Sequence, residues 1–522
     1  MELTQNEVVK PVRTLTLVQW AGFFSMLFGN FMAILDIQIV GGALRDIQGG
    51  ISASVDEMSW VQGAYLIAEV ISIPLSGFMS RVLSIRGHFL LSAVGFTLMS
   101  VASGFAWNIQ SMIVFRALQG FFGGGMIPTT FSAIYLLFPA EKTMLAQVWV
   151  SIVSTLAPVV GPTIGGYLTD ALSWHWLFLI NVVPGIIVSF GVWFCVRIDK
   201  PDWSLLTKID YLGMVVMSVF LGTMEYVLEE GPRYDWFDDA DISTAAAVSV
   251  IAAVMFFWRA WTHPNPIVSF SAFRNRNFIL ASCLAVAIGV TLYGSSFVFP
   301  LYLGQVRGYS SLQIGELMAA SGVVMLCAGP VAGHLTKWLP KKMMLALGMA
   351  MLAGCSLYNT QLTGDWGFYE FLLPQVLWGA GLVFSCIPLG DLAMSTLPER
   401  QIKTAGALFS LMRNLGGAAG LAVLNTLLIS RQAYHWQQII PAINLGRQEV
   451  TTTLEAATNT MATIGSANPI VAATLELGQR VSAQALVLSF NDLFMVITVL
   501  MVVTLCMMPF ITETNEVVKE QQ

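Results

Sequence analysis

The sequence predicts an all-α polytopic membrane protein, and its composition and the length of its apolar runs support that prediction. Charged residues make up 11% of the 522 residues, whereas soluble globular domains carry about 25%. Hydrophobic residues make up 56%, so the chain cannot provide the charged surface of a soluble protein. Disordered segments are poor in such residues. Apolar runs of 18 to 25 residues also argue against a membrane β-barrel, whose strands alternate polar and apolar side chains.

Fourteen apolar runs are long enough to cross the roughly 30 Å of hydrocarbon in a bilayer. The first 16 residues are polar, and the run after them is too long for the core of a cleavable signal peptide. That run is therefore expected to remain as a span. The predicted spans cover 17–43, 58–80, 88–106, 109–137, 144–170, 176–197, 210–229, 242–261, 278–303, 312–335, 342–361, 369–396, 402–429 and 487–510.

The distribution of Lys and Arg between the loops tests this number and orients the chain. With a cytoplasmic N-terminus, 17 of the 25 basic residues fall on the inner side, 6 fall outside and 2 lie within spans. A missed helix would exchange the two sides for every later loop and destroy that asymmetry. The sequence therefore predicts 14 transmembrane helices with both termini in the cytoplasm.

A repeated pattern indicates that the chain contains two related halves. Pro-x-x-Gly-x-x-x-basic occurs at 74–81 and again at 330–337, which is 256 residues later. Two further pairs recur at offsets of 260 and 259 residues: 127–128 with 387–388, and 139–142 with 398–400. Parallel halves of this kind, with a substrate site between them near the midplane, are typical of one transporter architecture.

The spans therefore divide as six, two and six. The expected domains are a cytoplasmic N-terminal segment 1–16, an N-terminal six-helix half 17–200, two linker helices 201–276, a C-terminal six-helix half 277–510 that includes a periplasmic loop 431–486, and a cytoplasmic tail 511–522. The periplasmic loop is expected to form two helical pieces, near 447–463 and 470–486.

Several motifs in these spans resemble those of the major facilitator superfamily, and in particular its fourteen-helix drug/proton antiporter branch. They are Leu35-Asp36-Ile-Gln-Ile-Val40, Arg116-Ala-Leu-Gln119-Gly120, the glycine- and proline-rich segment 157–166, the segment 174–185, and 265–278 in the second linker. Within that branch the chain is most similar to the EmrB-like inner-membrane subunits of tripartite efflux pumps. Residues 71–75 and the long loop 431–486 carry this closer resemblance.

The resemblance implies proton-driven export of hydrophobic or amphipathic small molecules across a bacterial inner membrane by alternating access, and so a role in antibiotic resistance. It implies protons and a lipophilic substrate as ligands, no cofactor, and a periplasmic adaptor protein and an outer-membrane channel as partners. The segment 431–486 is the expected contact with the adaptor; the alternative is an amphipathic hairpin that rests on the transporter. The sequence contains no Gly-x-x-x-x-Gly-Lys-Ser/Thr loop for ATP and no paired metal-ligand spacing.

Two charged residues within spans are candidates for proton coupling, because an ionisable residue in a membrane costs a few kcal/mol. Asp36 and Arg116 each lie about seven residues from the outer end of their spans, and therefore at similar depth. The superfamily fold places these two helices side by side. A carboxylate whose Arg partner is near in only one state takes up a proton in the other state. The alternative is a permanent ion pair that fastens the helices.

Three further polar residues within spans are also candidates. Glu69 lies near the centre of its span, where branch members commonly have a neutral residue, and is expected to bind a second proton or a cationic substrate. A protonated, hydrogen-bonded packing residue is the alternative. Gln119 and Asp391 are candidates for the substrate pocket, although Asp391 is close enough to a helix end to act as a cap. Glu225 and Glu316 are expected at solvated rims, and Arg413 has no assigned role.

Two motifs are expected to control opening and closing. By resemblance, the antiporter motif packs the two halves together on the outer side and keeps the inward-facing state from leaking; its residues are Pro158, Gly161, Pro162, Gly165 and Gly166. Its glycines allow helices to approach closely, and its prolines allow a bend. The loop-gate motif contains Gly77 and Arg81, but Arg81 stands where the superfamily usually has Asp. The usual salt bridge of that gate is therefore in doubt.

Two other functions remain as alternatives. Export of one dedicated metabolite, such as a siderophore or a fatty acid, is favoured by Glu69 and by the altered loop-gate motif. A membrane enzyme or a receptor on a transporter scaffold would require clustered catalytic groups or an attached soluble domain, and the sequence has neither.

Overall fold

The computed structural model describes residues 16–51, 53–336, 338–443, 447–464 and 468–511. These residues form helices and short connections, with no strand among them. The helices are α1 Leu17–Gly42, α2 Leu44–Ile51, α3 Val55–Val82, α4 Ser84–Gly104, α5 Ile109–Leu137, α6 Ala140–Ala171, α7 Trp176–Leu179, α8 Val182–Cys195, α9 Tyr211–Glu230, α10 Ala240–Thr262, α11 Arg276–Gln305, α12 Ser311–Leu335, α13 Lys341–Asn359, α14 Phe368–Met394, α15 Glu399–Ile439, α16 Gln448–Thr463 and α17 Pro469–Met507.

Each of the fourteen predicted spans coincides with one long helix, or with the pair α7 and α8. Within the described residues, 12 helices are long and apolar enough to cross a membrane, and 13 if the bent helix α6 counts as one span. Helix α13 is not among them, because it begins with two lysines and ends at Asn359. The number of fourteen crossings therefore stays a prediction, and the termini lie outside the described residues.

The beginnings of several helices follow from local capping chemistry. The side chain of Thr16 accepts a hydrogen bond from the backbone N–H of Gln19, whose own side chain accepts from Thr16 N–H. Ser54 with Glu57 and Ser310 with Gln313 repeat this capping box. Each box satisfies N–H groups that the first helical turn would otherwise leave without partners.

The internal repeat predicted from sequence falls on corresponding helices. The first pattern lies at the ends of α3 and α12, the second inside α5 and α14, and the third at the starts of α6 and α15. Lys337, which ends one copy of the first pattern, lies outside the described residues. The two sets of helices pack against each other through α6 with α12 and through α3 and α5 with α15.

The linker helices α9 and α10 pack together, and α9 also packs against both α3 and α15. The turn after α9 contacts both sets of helices. The Arg233 guanidinium donates to Ser59 Oγ (3.1 Å), and Trp236 Nε1 donates to Thr426 Oγ1 (2.9 Å). Helix α9 therefore lies at the junction of the two halves and contributes to their interface.

The segment 431–486 differs in part from its prediction. Helix α16 matches the first of the two expected helical pieces. The second piece continues without a break into the last span as α17, and α15 extends beyond the predicted membrane boundary to Ile439. The side chains of α16 are exposed or half-buried.

The close crossing of α3 and α5 makes a testable prediction about packing. A Cβ added at Gly124 would lie 2.6 Å from the carbonyl oxygen of Glu69 and 3.0 Å from its Cα. We expect Gly124→Ala to destabilise the protein by about 1–3 kcal/mol, because backbone on α3 must move. The midpoint of thermal unfolding in detergent measures this.

Gly354→Ala in α13 is the matched control, because no atom lies within 4 Å of the added Cβ. Alanine there is expected to raise the midpoint or leave it unchanged, since Ala is favoured over Gly in helices by about 0.5–1 kcal/mol. Equal midpoints for the two variants would contradict the close α3–α5 contact.

Candidate functional site

A buried ion pair joins α1 and α5. Asp36 and Arg116 both have 0% exposure, and Nη1 of Arg116 lies 2.5 Å from Oδ2 of Asp36. The sequence predicted that the two residues would lie at similar depth, and the structure brings them into contact. In the described state this pair fastens α1 to α5, and its role in proton coupling stays a prediction.

The second carboxylate oxygen of Asp36 is also fully engaged. It accepts hydrogen bonds from Nε2 of Gln119 (3.0 Å) and Nδ2 of Asn181 (2.7 Å). Asn181 lies between α7 and α8 and also donates to Ser100 Oγ on α4 (3.0 Å). Sequence reasoning did not identify Asn181 as a site residue, although it lies in a motif that carried the family resemblance.

The Arg116 guanidinium is held on three sides. Its Nε donates to the Val61 carbonyl oxygen (3.1 Å), and its Cζ lies 4.4 Å from the ring centroid of Tyr65. Its Nη1 also donates to Oε1 of Gln119 (2.9 Å). Gln119 was predicted to lie in the substrate pocket, but it is fully buried and both ends of its amide bind the ion pair. It therefore belongs to the charge network.

Glu69 on α3 differs from Asp36 in having an unsatisfied carboxyl. The residue is 2% exposed, and no described group forms a hydrogen bond with its Oε2. Arg413 on α15 and Arg116 on α5 lie within Coulombic range. Glu69 therefore lies in the N-terminal half and interacts electrostatically with Arg413 of the C-terminal half.

Arg413, which had no assigned role, lines a small cavity of about 30 Å³ between the two halves. Gln147 and Phe131 form its wall on the N-terminal side, and Phe409 and Cys386 lie on the other side. The cavity has room for about one water molecule. In this conformation the centre of the protein is therefore closed around Arg413.

A larger cavity of about 540 Å³ lies between the halves near the ends of the helices that are predicted to face outward. Its walls come from both halves and from the linker helix α9. The lining residues are Gln38, Gly41, Leu44, Gln62, Leu228, Glu229, Pro232, Tyr293, Ser296, Phe297, Pro300, Leu301, Leu421, Ala422 and Asn425. Its volume falls within the range of drug-sized binding sites.

Asp391 lies in neither cavity. The Lys341 ammonium is 2.5 Å from Oδ2 of Asp391, and the carboxylate is almost completely buried. This pair joins α13 to α14 within the C-terminal half. Asp391 was predicted to lie in the substrate pocket. The structure instead pairs its carboxylate with Lys341, a cation on a neighbouring helix.

The antiporter motif packs α6 on both of its sides. A Cβ at Gly165 would lie 2.7 Å from the Ile39 carbonyl oxygen, and Gly161 packs equally closely on Gln38, so α6 approaches α1 within the same half. Gly315 of α12 packs on Thr163, which connects α6 to the other half.

The same helix bends by 49° between Pro158 and Thr163, and the bend includes Pro162. Pro158 is buried. The carbonyl oxygen of Gly166 accepts a hydrogen bond from Thr169 Oγ1 (3.0 Å). The described helix therefore bends in the segment where the sequence predicted that prolines would allow a bend, while the role of the motif in preventing leakage stays a prediction.

The inner ends of α3 and α15 meet at the loop-gate motif. A Cβ at Gly77 would lie 3.2 Å from Cβ of Ala407 and 3.4 Å from the Lys403 carbonyl oxygen. The Arg81 guanidinium lies over the ring of Phe78, with 5.6 Å between Cζ and the centroid. Arg81 stands where the superfamily usually has Asp, and its positive charge cannot replace the negative charge of that Asp.

Asp199, which follows α8, supplies a negative charge at this inner end instead. Its Oδ2 lies 2.5 Å from Nζ of Lys403 on α15, and its Oδ1 accepts from the backbone N–H of Ile85 (3.0 Å). Lys403 also donates to the Ser80 carbonyl oxygen (3.1 Å). A salt bridge between the halves is therefore present, with a different acid from the one the motif led us to expect.

The two acidic residues predicted at solvated rims have different environments. Glu316 is exposed, as expected. Glu225 is 2% exposed, and no described group forms a hydrogen bond with its Oε2. The rim prediction for Glu225 was therefore wrong, because the linker helix α9 packs between the two halves.

Comparisons with known proteins identify the family of this chain. The family model described as Major Facilitator Superfamily matches residues 26–421. The chain is 42% identical to the colistin resistance protein EmrB of Acinetobacter baumannii, over 93% of this chain and 94% of that protein. It is 30% identical to the fatty acid resistance protein FarB of Neisseria gonorrhoeae, over 78% and 80%. It is 27% identical to the multidrug export protein EmrB of Escherichia coli K12, over 90% and 91%.

A solved structure supports the fold. The proton:xylose symporter XylE superposes with a TM-score of 0.57 at 13% sequence identity, over 95% of this chain and 96% of that chain. At such low identity the similarity is evidence for the fold alone, and it supports the predicted major facilitator fold.

The Asp199–Lys403 pair gives a prediction about the inner gate. We expect Asp199→Asn to favour opening of the inner side by about tenfold, the equivalent of about 1.4 kcal/mol, because Lys403 loses its carboxylate. Cys386 lines the central cavity and reports that opening. The measurement is the rate at which a polar maleimide labels Cys386 in a chain whose other five cysteines are replaced by serine.

Asp202→Asn is the matched control. It removes the same charge three residues away, where the carboxylate only caps the exposed turn at Ser204. An equal labelling rate for Asp199→Asn and Asp202→Asn would show that the Asp199–Lys403 pair does not hold the inner side closed.

Proposed function

Because the chain belongs to the major facilitator superfamily, we propose that it is a proton-coupled efflux transporter for hydrophobic or amphipathic small molecules. Membership makes the protein a membrane transporter, and relatives named for multidrug export and colistin resistance support drug efflux as its activity. The energy source is the proton gradient in this proposal, and the mechanism needs no cofactor. The proposed location is the inner membrane of a bacterium.

The buried network around Asp36 is the observation that carries the proposal of proton coupling. In the described state, three hydrogen bonds stabilise the carboxylate form of Asp36, and one of them comes from the Arg116 cation. Any rearrangement that separates α1 from α5 leaves a lone charge in the membrane, which costs several kcal/mol. Binding a proton to Asp36 removes that cost, and thus proton uptake and helix movement favour each other.

The two cavities support alternating access. The outer cavity is large enough for a drug-sized molecule, whereas the central cavity around Arg413 holds about one water molecule. Asp199 and Lys403 join the halves at the inner end. We infer that this conformation faces outward and that export requires a second conformation, in which the inner contact opens and the outer cavity closes.

A periplasmic adaptor protein and an outer-membrane channel are the proposed partners. Helices α15 and α17 extend beyond the predicted membrane boundary and carry α16 between them. Large apolar side chains are exposed in this region, among them Ile464 (72%) and Ile470 (66%). Exposed apolar groups outside a membrane favour a protein contact. A hairpin without a partner is the alternative.

Export of a dedicated metabolite is the second candidate function, and the relative named fatty acid resistance protein FarB favours it. The lining of the outer cavity favours a substrate without a negative charge. It includes the acidic Glu229 and no Lys or Arg among its described residues. A fatty acid carboxylate would find no cation to pair with at that wall, whereas a neutral or cationic amphipathic compound needs none.

Reconstitution in liposomes with an imposed pH gradient tests the proposed function. We expect a panel of lipophilic compounds to provoke proton movement through the wild-type protein, and Asp36→Asn to reduce it to the rate of protein-free liposomes, because the amide cannot exchange a proton. Glu69→Gln is expected to lower the number of protons moved for each substrate molecule. An internal pH dye measures both quantities.

Glu316→Gln, which neutralises an exposed carboxylate on α12, is the control and should transport at the wild-type rate. Undiminished proton movement in Asp36→Asn would refute the proposed role of Asp36. If no lipophilic compound moves protons while a single metabolite does, the protein is a dedicated exporter.

A further inference from the structure

Helix α9 lies outside both six-helix halves in the sequence but packs tightly against α3. Gly222 approaches α3 so closely that a Cβ there would lie 3.3 Å from Cδ1 of Ile71. Two turns after Gly222 on α9, Glu229 also approaches α3, and a Cβ added at Gly63 on α3 would lie 3.8 Å from Cγ of Glu229. One face of α9 is therefore fixed against α3, and the carboxyl-bearing positions lie along that junction.

Three carboxyl groups follow this junction from the outer cavity toward the interior. Glu229 lines the cavity. Glu225, one turn earlier on α9, is 2% exposed and lies within Coulombic range of both Glu229 and Glu69. Neither Glu225 Oε2 nor Glu69 Oε2 forms a hydrogen bond with a described group. Two deeply buried carboxyl oxygens are thus left without hydrogen-bond partners, and one of them belongs to a residue one turn from the cavity-lining Glu229.

The charged groups around these carboxyls are unevenly distributed. Glu69 lies within Coulombic range of Arg413 and Arg116. The Tyr293 hydroxyl of α11, which also lines the cavity, lies within Coulombic range of Arg413, Glu69 and Glu225. The groups that act on Glu225 are Glu229 and Glu69, and the group that acts on Glu229 is Glu230. All of these groups are acidic. The basic residue in the turn after α9 is Arg233, whose Nη1 lies 3.8 Å from Oε2 of Glu230.

An unpaired carboxylate in such surroundings is costly, and it must bind either a proton or another cation. The outer cavity can supply both. Its water carries protons, and its volume and apolar lining, which includes Phe297, Leu301 and Leu421, suit the body of an amphipathic molecule.

We propose that the linker helix α9 carries a cation-exchange site, in which Glu229 at the wall of the outer cavity, with the buried Glu225 one turn away, holds a proton when the cavity is empty and binds the charged end of an amphipathic organic cation when it is occupied. One proton leaves for each positive charge that binds, so the charge of the site is conserved. This inference rests on the proposed export function and defines its substrate class as cationic. It also makes α9 part of the substrate site.

Binding of tetraphenylphosphonium to the purified full-length protein in detergent tests the site, with tetraphenylborate as an anion of nearly the same shape. We expect wild-type protein to bind tetraphenylphosphonium more tightly as the pH rises and to release protons into a weakly buffered solution. Glu225→Gln and Glu229→Gln should each weaken binding by about tenfold and lower the proton release, because a charged partner is lost. Calorimetry in buffers of different ionisation enthalpy measures both quantities.

Glu316→Gln is again the control, because it removes one exposed carboxylate that lies outside the cavity. The two substituted residues lie at different depths. If the buried Glu225→Gln variant fails to fold, Glu229→Gln at the cavity wall still tests the proposal. Wild-type affinity in Glu229→Gln, or equal affinity of the wild-type protein for the phosphonium and the borate, would overturn the proposal.

The same experiment separates this inference from the proposed function. Asp36→Asn is expected to keep the binding of tetraphenylphosphonium, since Asp36 and its hydrogen-bond partners are not among the residues that line the cavity, while it loses proton movement in liposomes. If Asp36→Asn abolishes proton movement but the α9 variants bind as the wild type does, the export function stands and the α9 site falls.

Discussion

The cost of burying charge away from water is the constraint on which the arrangement of the N-terminal helices depends. Asp36 and Arg116 are fully enclosed, and either residue alone would destabilise the fold by several kcal/mol. Gln119, Asn181 and the ring of Tyr65 surround the pair. Because these partners come from α1, α3, α5 and the junction of α7 with α8, a shift of any one helix breaks part of the network.

The charged groups fall into two classes according to where their partners lie. Asp36 with Arg116 and Asp391 with Lys341 are satisfied within one half, so a rigid-body movement of the halves leaves these pairs intact, and only a movement of helices within a half separates them. The Asp199–Lys403 pair and the electrostatic interaction of Glu69 with Arg413 extend across the halves. Interactions across the interface change when the halves reorient, whereas those within one half do not.

The linker helices show how this constraint reaches beyond the repeated halves. Helix α9 contributes Glu229 to the outer cavity and the buried Glu225 to its neighbourhood, while the turn after it bonds to Ser59 and Thr426 on opposite halves. A helix that only connected two domains would have no reason to bury an unpaired carboxyl. Glu225 lies near the end of α9, yet it is inaccessible to solvent because α9 lies at the junction of the two halves.

The sequence alone determined the helices, the family and the depth of the charged residues within their helices. Apolar runs and prolines are local properties, so the fourteen long apolar segments and the repeated Pro74 and Pro330 patterns could be predicted without a structure. The short helix α2, the break between α7 and α8 and the extension of α15 and α17 were not predicted. Only the tertiary structure decided which charges meet. Lys341 lies 50 residues from Asp391, and Lys403 lies 204 residues from Asp199. Partners this distant depend on how helices cross, and hydropathy along one helix contains no information about the face that its neighbour presents.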